Sequence, residues 1–156
     1  MSRAFTREED NETAIASLGE RPVSSQRNLV TRNGLAMIDA EIAALQAELA
    51  TVDAVEEREK SALLARDLRY WTARRETAEP VDPDPEEDVV RFGRTVSVED
   101  EDGKRQTWRI VGEDEADPSS GTISHVSPMA RALFGKGAGE AAIVNGREWE
   151  IVSVGD

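Results

Sequence analysis

The 156-residue chain contains no cysteine, so disulfides, thiolate zinc sites, iron–sulfur ligation and thiol nucleophiles are all excluded. Its single histidine, His125, excludes a histidine-rich metal centre. Aromatic residues make up only 4% of the chain. No apolar run approaches the roughly 18 residues of a membrane span, and Ser2–Asp10 carries charges where a signal peptide needs an apolar stretch. The expected location is the cytoplasm, away from membranes. Cations are also scarce: 19 Lys and Arg stand against 32 Asp and Glu, a net charge of −13. Phosphate affinity comes from clustered cations, so strong direct binding to nucleic acid is disfavoured and a basic protein groove is the natural partner.

What is present divides the chain. Residues 1–30 are polar with little periodicity, and are expected to form a mobile arm with at most a helical turn near Glu12–Leu18. From Thr31 onward, Leu35, Ile38, Ile42, Leu45, Leu49 and Val52 follow a 3-4 rhythm. Leu64, Leu68, Trp71, Arg75 and Ala78 continue it on a second stretch. Folding the second stretch back sets Leu45 against Leu64, Ile42 against Leu68, Ile38 against Trp71 and Leu35 against Arg75. This constant register predicts an antiparallel α-helical coiled-coil hairpin over residues 31–79, bent near Ala54–Glu56. Asp53 and Glu56 are spaced as a capping box for the second helix. At 1.5 Å per residue, Thr31–Val52 spans roughly 33 Å.

Residues 80–88, with three prolines and five acids, read as an extended acidic linker. Beyond it the apolar period falls to two. Val90, Phe92, Val96 and Val98 precede an Asp102-Gly103 turn, then Trp108, Ile110 and Val111. The acids of Glu99–Asp102 are expected to be solvated in that hairpin turn. An acidic loop covers Gly112–Gly121, and Thr122–Val126 reads as a strand carrying His125 without a catalytic role. Ser127 and Pro128 form the N-cap and first residue of a helix over Met129–Phe134, ended by Gly135. The Asn145-Gly146 turn joins Ile143-Val144 to Trp149, Ile151, Val152 and Val154. Residues 89–156 thus suffice for a small β-sheet domain with one short helix, and the chain is α+β. Gly135–Gly139 lacks the spacing of a phosphate-binding loop, no catalytic triad appears, and no cofactor is implied.

Arg109-Ile110-Val111-Gly112-Glu113-Asp114-Glu115-Ala116-Asp117, with Ile123-Ser124 and Ser127-Pro128-Met129-Ala130-Arg131-Ala132-Leu133, resembles the C-terminal domain of Gre transcript-cleavage factors. Val90–Val96, Leu29–Leu35 and Asp67–Tyr70 match the same family, extending the resemblance over about residues 29–156. The resemblance implies a coiled-coil hairpin followed by an FKBP-like domain. It also implies that the second domain docks on the rim of the RNA polymerase secondary channel through Ser127, Pro128, Met129 and Arg131. In the family, acids of a Gly-Asp-x-x-Glu-Asn motif at the hairpin tip help hold a catalytic magnesium ion. This sequence has no such motif, and its hairpin is several turns shorter. Docking carries over; cleavage does not carry over automatically.

Each functional reading has a plainer competitor. Asp53, Glu56 and Glu57 at the tip could hold magnesium, but acids in a first helical turn also stabilise its positive end, and the short reach favours that role. Ser127 and Pro128 cap a helix whether or not they dock. Arg131 serves either a partner or the solvent. Phe92, Trp108, Phe134 and Trp149 suit core packing better than a prolyl isomerase pocket. The reading is therefore a polymerase-binding regulator and not itself an enzyme, with an atypical cleavage factor or a non-polymerase interaction protein as the alternatives.

Overall fold

A computed structural model describes residues 19–155. They form two compact units: one holds Ile38–Thr77 with the described residues through Ser25, the other Gln26–Met37 with Ala78 onward. This division differs from the sequence boundaries, because residues 26–37 belong with the C-terminal part. No helix among the described residues is long and apolar enough to cross a membrane.

In the first unit, helix α1 (Arg32–Leu49, whose first residues lie in the second unit) and helix α2 (Arg58–Thr77) carry the apolar rhythm. Ile38 and Leu45 are buried, and Ile42 and Leu49 half-buried, at the expected 3-4 spacing. Asp39 pairs with Arg75 at 2.7 Å and Glu48 with Lys60 at 3.7 Å, so residues descending α2 meet residues ascending α1. One seam position is corrected. Arg75 faces outward to Asp39, and it is Arg74, 1% exposed, that turns inward. A straight helix has 3.6 residues per turn, so after Trp71 the inward position falls three residues on instead of four.

Helix α1 ends three residues before Val52. Asp53 then caps a single turn of its own: its Oδ1 accepts from the Val55 and Glu56 N–H groups at 2.9 and 3.2 Å, and its carbonyl from Glu57 N–H at 2.8 Å. The cap therefore closes the bend, and α2 begins only at Arg58. The polar arm also needs correction. Residues 1–18 lie outside the described residues, but Glu20 accepts from the Arg69 guanidinium at 2.6–3.1 Å. Arg21 stacks 3.9 Å above the Tyr70 ring and reaches Asp67 at 3.4 Å. Polarity does not prevent docking when an arginine can lay its flat guanidinium on an aromatic face.

In the second unit, β1 (Leu29–Val30) pairs in parallel with β2 (Glu79–Pro80). The main sheet contains β3 (Thr95–Asp100), β4 (Arg105–Val111), β5 (Thr122–Ser124), β6 (Ala141–Val144) and β7 (Arg147–Gly155), in the order β5-β4-β3-β7-β6. Only the β4–β5 pair is parallel. A bulge at Ser97/Val98 breaks the β3–β7 register and promotes curl. Val96, Val98, Ile110, Ile123, Trp149 and Ile151 point inward by strand alternation and are buried against Ala130 and Leu133 of α3 (Pro128–Leu133). Each large aliphatic among them contributes about 1.5–3 kcal/mol of burial.

The expected strand around Val90 and Phe92 is reduced to an isolated Val89–Gly137 bridge, although both side chains are buried. Gly93, at φ +84°, turns the chain before β3 and lies against Pro83, which draws the acidic linker onto the unit. The Asn145-Gly146 turn takes φ +53° and +76°, as a two-residue hairpin requires. The acids of the Glu99–Asp102 turn are not all solvated. Asp100 is buried and accepts from Lys104 N–H at 2.8 Å, Asp102 N–H at 3.0 Å and Arg147 at 2.8 Å. These bonds close the hairpin from inside, and they hold the Asp100 carboxyl below its ordinary range, the Lys104 amide contributing most.

Residues 26–37 join this unit through Gly112 and Glu115. A Cβ on Gly112 would sit 2.5 Å from the Leu29 carbonyl oxygen. Thr31 Oγ1 donates to Glu115 Oε2 at 2.6 Å and Asn33 Nδ2 to Glu115 Oε1 at 3.0 Å, while Gly34 N–H donates to Thr31 Oγ1 at 2.9 Å.

Two stability outcomes follow. Gly112→Ala should destabilise the second unit by about 1–3 kcal/mol in denaturant unfolding, because the new methyl meets backbone that cannot swing aside. Gly155→Ala, with nothing near its Cβ position, should be neutral; equal stability of the two variants would refute the close approach. Asp100→Asn should lower stability at neutral pH. Because the folded carboxyl titrates below its unfolded value, its contribution is present above about pH 4 and is lost as pH falls through the folded value. Wild type and variant should therefore converge in acid melts, and a constant gap down to pH 2 would contradict the assignment.

Candidate functional site

The four residues singled out for docking all fall on one element of the second unit. Ser127, extended at φ −65° and ψ 153°, accepts from Ala130 N–H through its Oγ at 3.3 Å, and Pro128 occupies the first turn. This start is dictated locally: the serine oxygen satisfies a free amide and the proline needs no donor. At the other end Gly135, at φ +80°, donates to the Val90 carbonyl at 2.8 Å. Ala130 and Leu133 are buried and Met129 packs half-buried on the core, so the helix has one inward and one outward face.

The outward face holds Pro128, Arg131 and Phe134, three residues apart. Arg131 Nη2 donates to Gln26 Oε1 at 3.3 Å. Phe134 is corrected from its expected core position: it is 58% exposed, with the Arg91 guanidinium 4.9 Å from its ring centroid. It follows the last helical turn as the C-cap, beyond the inward step that buries Leu133. Glu87 holds Arg91 at 3.3 Å. The face thus presents a proline, a phenylalanine and two arginines on an acidic protein, suited to an apolar, acidic protein surface.

His125 lies beside this helix. The expected strand through Val126 stops at Ser124, and His125 follows it in a turn, its N–H bonded to the Val111 carbonyl at 2.9 Å. The ring stands edge-on to Phe92 at 5.6 Å. Burial holds the imidazole below its ordinary pKa; Glu113 acts in the opposite sense, and Arg131 adds to the lowering.

Asp53, Glu56 and Glu57 gather on one turn of the first unit and are exposed, next to Val55 at 75% exposure. Among the described residues, no three His, Asp or Glu side chains are placed to hold a metal ion. The sequence reading missed the roles of Glu115, Gln26 and Arg91. Glu115, Thr31 and Asn33 lie in stretches that carried the family resemblance, but 82 or more residues separate them, and only the fold pairs them.

Residues 84–156 match the family described as "Transcription elongation factor, GreA/GreB, C-term". The transcription elongation factor GreA of Maricaulis maris is 49% identical over 72 residues, which cover 43% of this chain and 46% of that protein. The GreA of Paracoccus denitrificans is 32% identical over 148 residues, covering 80% of this chain and 95% of that protein. Against the first of these relatives, the chain spans about half their length. Among solved structures, GreA factor homolog 1 of Thermus thermophilus gives a TM-score of 0.41 at 18% identity, covering 84% of this chain and all of that one, too loose a likeness to support any inference. The match along most of the Paracoccus protein and the C-terminal family match together establish that this chain belongs to the GreA/GreB family of transcription elongation factors.

Proposed function

We propose that the chain is a cytoplasmic regulator of bacterial RNA polymerase that docks at the rim of the secondary channel through its second unit, without a cofactor of its own. In this reading the second unit is the FKBP-like domain and α1 and α2 are the coiled-coil hairpin entering the channel. The carrying observation is the outward face of α3. Ser127 caps it, Pro128 and Arg131 are presented from it, and Met129 anchors it to the core. A rigid helix start fixes the loop that meets the partner, and a cationic, partly apolar face complements an acidic protein surface.

Regulation without cleavage is the preferred form. Helix α1 has 18 residues, about 27 Å of rise, shorter even than the sequence suggested. Direct magnesium coordination requires carboxylate oxygens within about 2.1 Å, and one lost turn removes about 5.4 Å of reach, beyond what a side chain recovers. Asp53, Glu56 and Glu57 then act on the turn itself. Asp53 already closes it through the Val55 and Glu56 amides.

Core polymerase pull-down followed by a backtracked-transcript assay tests this directly. Binding with little or no cleavage, and competition with longer Gre factors, is the expected result. Robust cleavage abolished by Asp53→Asn, Glu56→Gln and Glu57→Gln together would favour the cleavage alternative, and no binding at all would favour a non-polymerase partner. Combined Ser127→Ala and Pro128→Ala changes should weaken polymerase binding at a stability loss of about 1 kcal/mol, the usual cost of a lost cap. Undiminished competition by the folded double variant would remove these residues from the docking face.

A further inference from the structure

The two edges of the main sheet differ. At the β5 edge, outward backbone groups are already used: Thr122 N–H donates to the Asp117 carbonyl at 3.2 Å, and the Ser124 carbonyl accepts from Ser127 N–H at 2.9 Å. At the other edge stands β6, four residues without a charge or a proline. The two-residue Asn145-Gly146 turn makes Val144 and Arg147 a hydrogen-bonded pair, and Ala142 lies across from Trp149. Further along, the Glu140 carbonyl accepts from Ile151 N–H at 2.8 Å. Even-numbered positions therefore bond to β7, and the N–H and C=O groups of Ala141 and Ile143 point away from it, toward the open edge. Among the described residues these groups have no hydrogen-bond partner.

The side chains leave the strand equally open. Alternation buries Ala142 and Val144 and turns Ala141 and Ile143 outward, Ile143 at 72% exposure. A groove of about 460 Å³ is lined by Ala141, Ala142 and Ile143 together with Ala132, Lys136 and Glu148. Edge strands that must stay unpaired are blunted by a lysine, a proline or an inward-pointing charge, and β6 has none of these. Only its shortness limits what it can bind.

We propose that β6 pairs antiparallel with β6 of a second copy of this chain, about a two-fold axis at Ala142, joining their five-stranded sheets edge to edge. The occupant follows from self-complementarity. Facing residues of an antiparallel pair lie on the same side of the sheet, so a symmetric register must centre on one residue. Centred on Ala142, it sets Ala141 of each copy against Ile143 of the other. Both pairs then exchange two bonds, and every free group of Ala141 and Ile143 is satisfied. Ala142 meets its own counterpart at the close, non-hydrogen-bonded spacing, where a small side chain fits, and each Ile143 has a small Ala141 across from it. Centring on Ile143 would instead oppose Ala141 to Asn145, which at φ +53° has left the strand. None of the three central residues is charged, and Lys136 and Glu148 give each copy both signs beside them. The pairing does not rest on the docking reading above.

A four-residue seam is small, so the association is weak and depends on concentration. In sedimentation equilibrium of the full chain, the mass should rise from that of one chain toward that of two between about 10 μM and about 1 mM. Each copy carries −13, so added salt should tighten the pairing. Hydrogen exchange of the Ala141 and Ile143 amides should slow severalfold at the higher concentration, while Ala142 and Val144, already bonded to β7, keep their rates. Ile143→Lys, at an exposed position, should stay folded and weaken association at least about tenfold. The chain has no cysteine, so Ala142→Cys adds a unique thiol. Its paired Cα atoms would stand about 4.5 Å apart, within disulfide range, and mild oxidation should link two chains. Ile143→Cys, out of register with its counterpart, should link far more slowly, and the reverse order would overturn the Ala142 axis. A single-chain mass up to about 1 mM in high salt, or association that survives Ile143→Lys, would overturn the pairing itself. So would a monomeric wild type whose β6 amides shift only on addition of core polymerase, which would give the edge to another protein. The wild-type measurements decide the matter even if a variant fails to fold.

Discussion

The carboxylate of Glu115 is the constraint on which the second unit depends. It receives the Thr31 hydroxyl at 2.6 Å and the Asn33 amide at 3.0 Å, while the Thr31 oxygen also receives Gly34 N–H. One acid thereby fixes the residue that starts α1. Beside it, Gly112 leaves room for the Leu29 carbonyl, and that contact sets where β1 lies when it pairs with β2. The clasp is two-pointed, so it restrains orientation as well as distance, which a single surface ion pair does not. Loss of Glu115 would leave Thr31, itself buried, without its acceptor.

The same economy explains the acid-rich composition. A net charge of −13 suggests a surface of self-repelling carboxylates, yet several acids, buried or exposed, serve as acceptors within the chain. Asp100 closes the β3–β4 hairpin, Asp117 receives the Ser119 and Ser120 hydroxyls at 2.6 and 2.9 Å, and Asp82 forks onto Arg32 through two bonds of 2.7 Å. Bonds of this kind hold these carboxyls in their charged form: chiefly the Lys104 amide for Asp100, the Ser119 hydroxyl for Asp117 and the Arg32 guanidinium for Asp82. Backbone amides and hydroxyls can satisfy an acid without adding a cation, so the few arginines can be placed elsewhere. Two of them, Arg91 and Arg131, stand on the face that bears Pro128 and Phe134.

Much of this was legible in sequence because it is periodic or local. The seam of α1, the Ser127-Pro128 helix start, the Asn145-Gly146 turn and the inward residues Val96, Val98, Ile110 and Ile151 depend on neighbours a few positions away, and each appears at its expected place. What escaped depends on distant partners. Nothing near Asp100 announces Arg147, and nothing near Gln26 announces Arg131, 105 residues on. Phe134 misled for a different reason. Apolar character predicts burial on average, but the residue that caps a one-and-a-half-turn helix points wherever the exit of the chain aims it.

Residues 20–30 show where composition ceases to predict structure. A polar segment lacks the apolar area to offset its ordering entropy alone, which is sound for an isolated chain. From Glu20 onward, however, the segment has a prepared surface. Arg69 supplies a forked partner for Glu20, and Tyr70 supplies a flat face for Arg21. Both partners stand on α2, a 20-residue helix on which Leu64, Leu68 and Trp71 are half-buried and Arg74 is buried. The entropy of ordering one side of each contact is thus already spent, and stacking plus paired charges can hold the other. Whether such a segment docks is decided by the surface it meets, and that surface is written about fifty residues away in the chain.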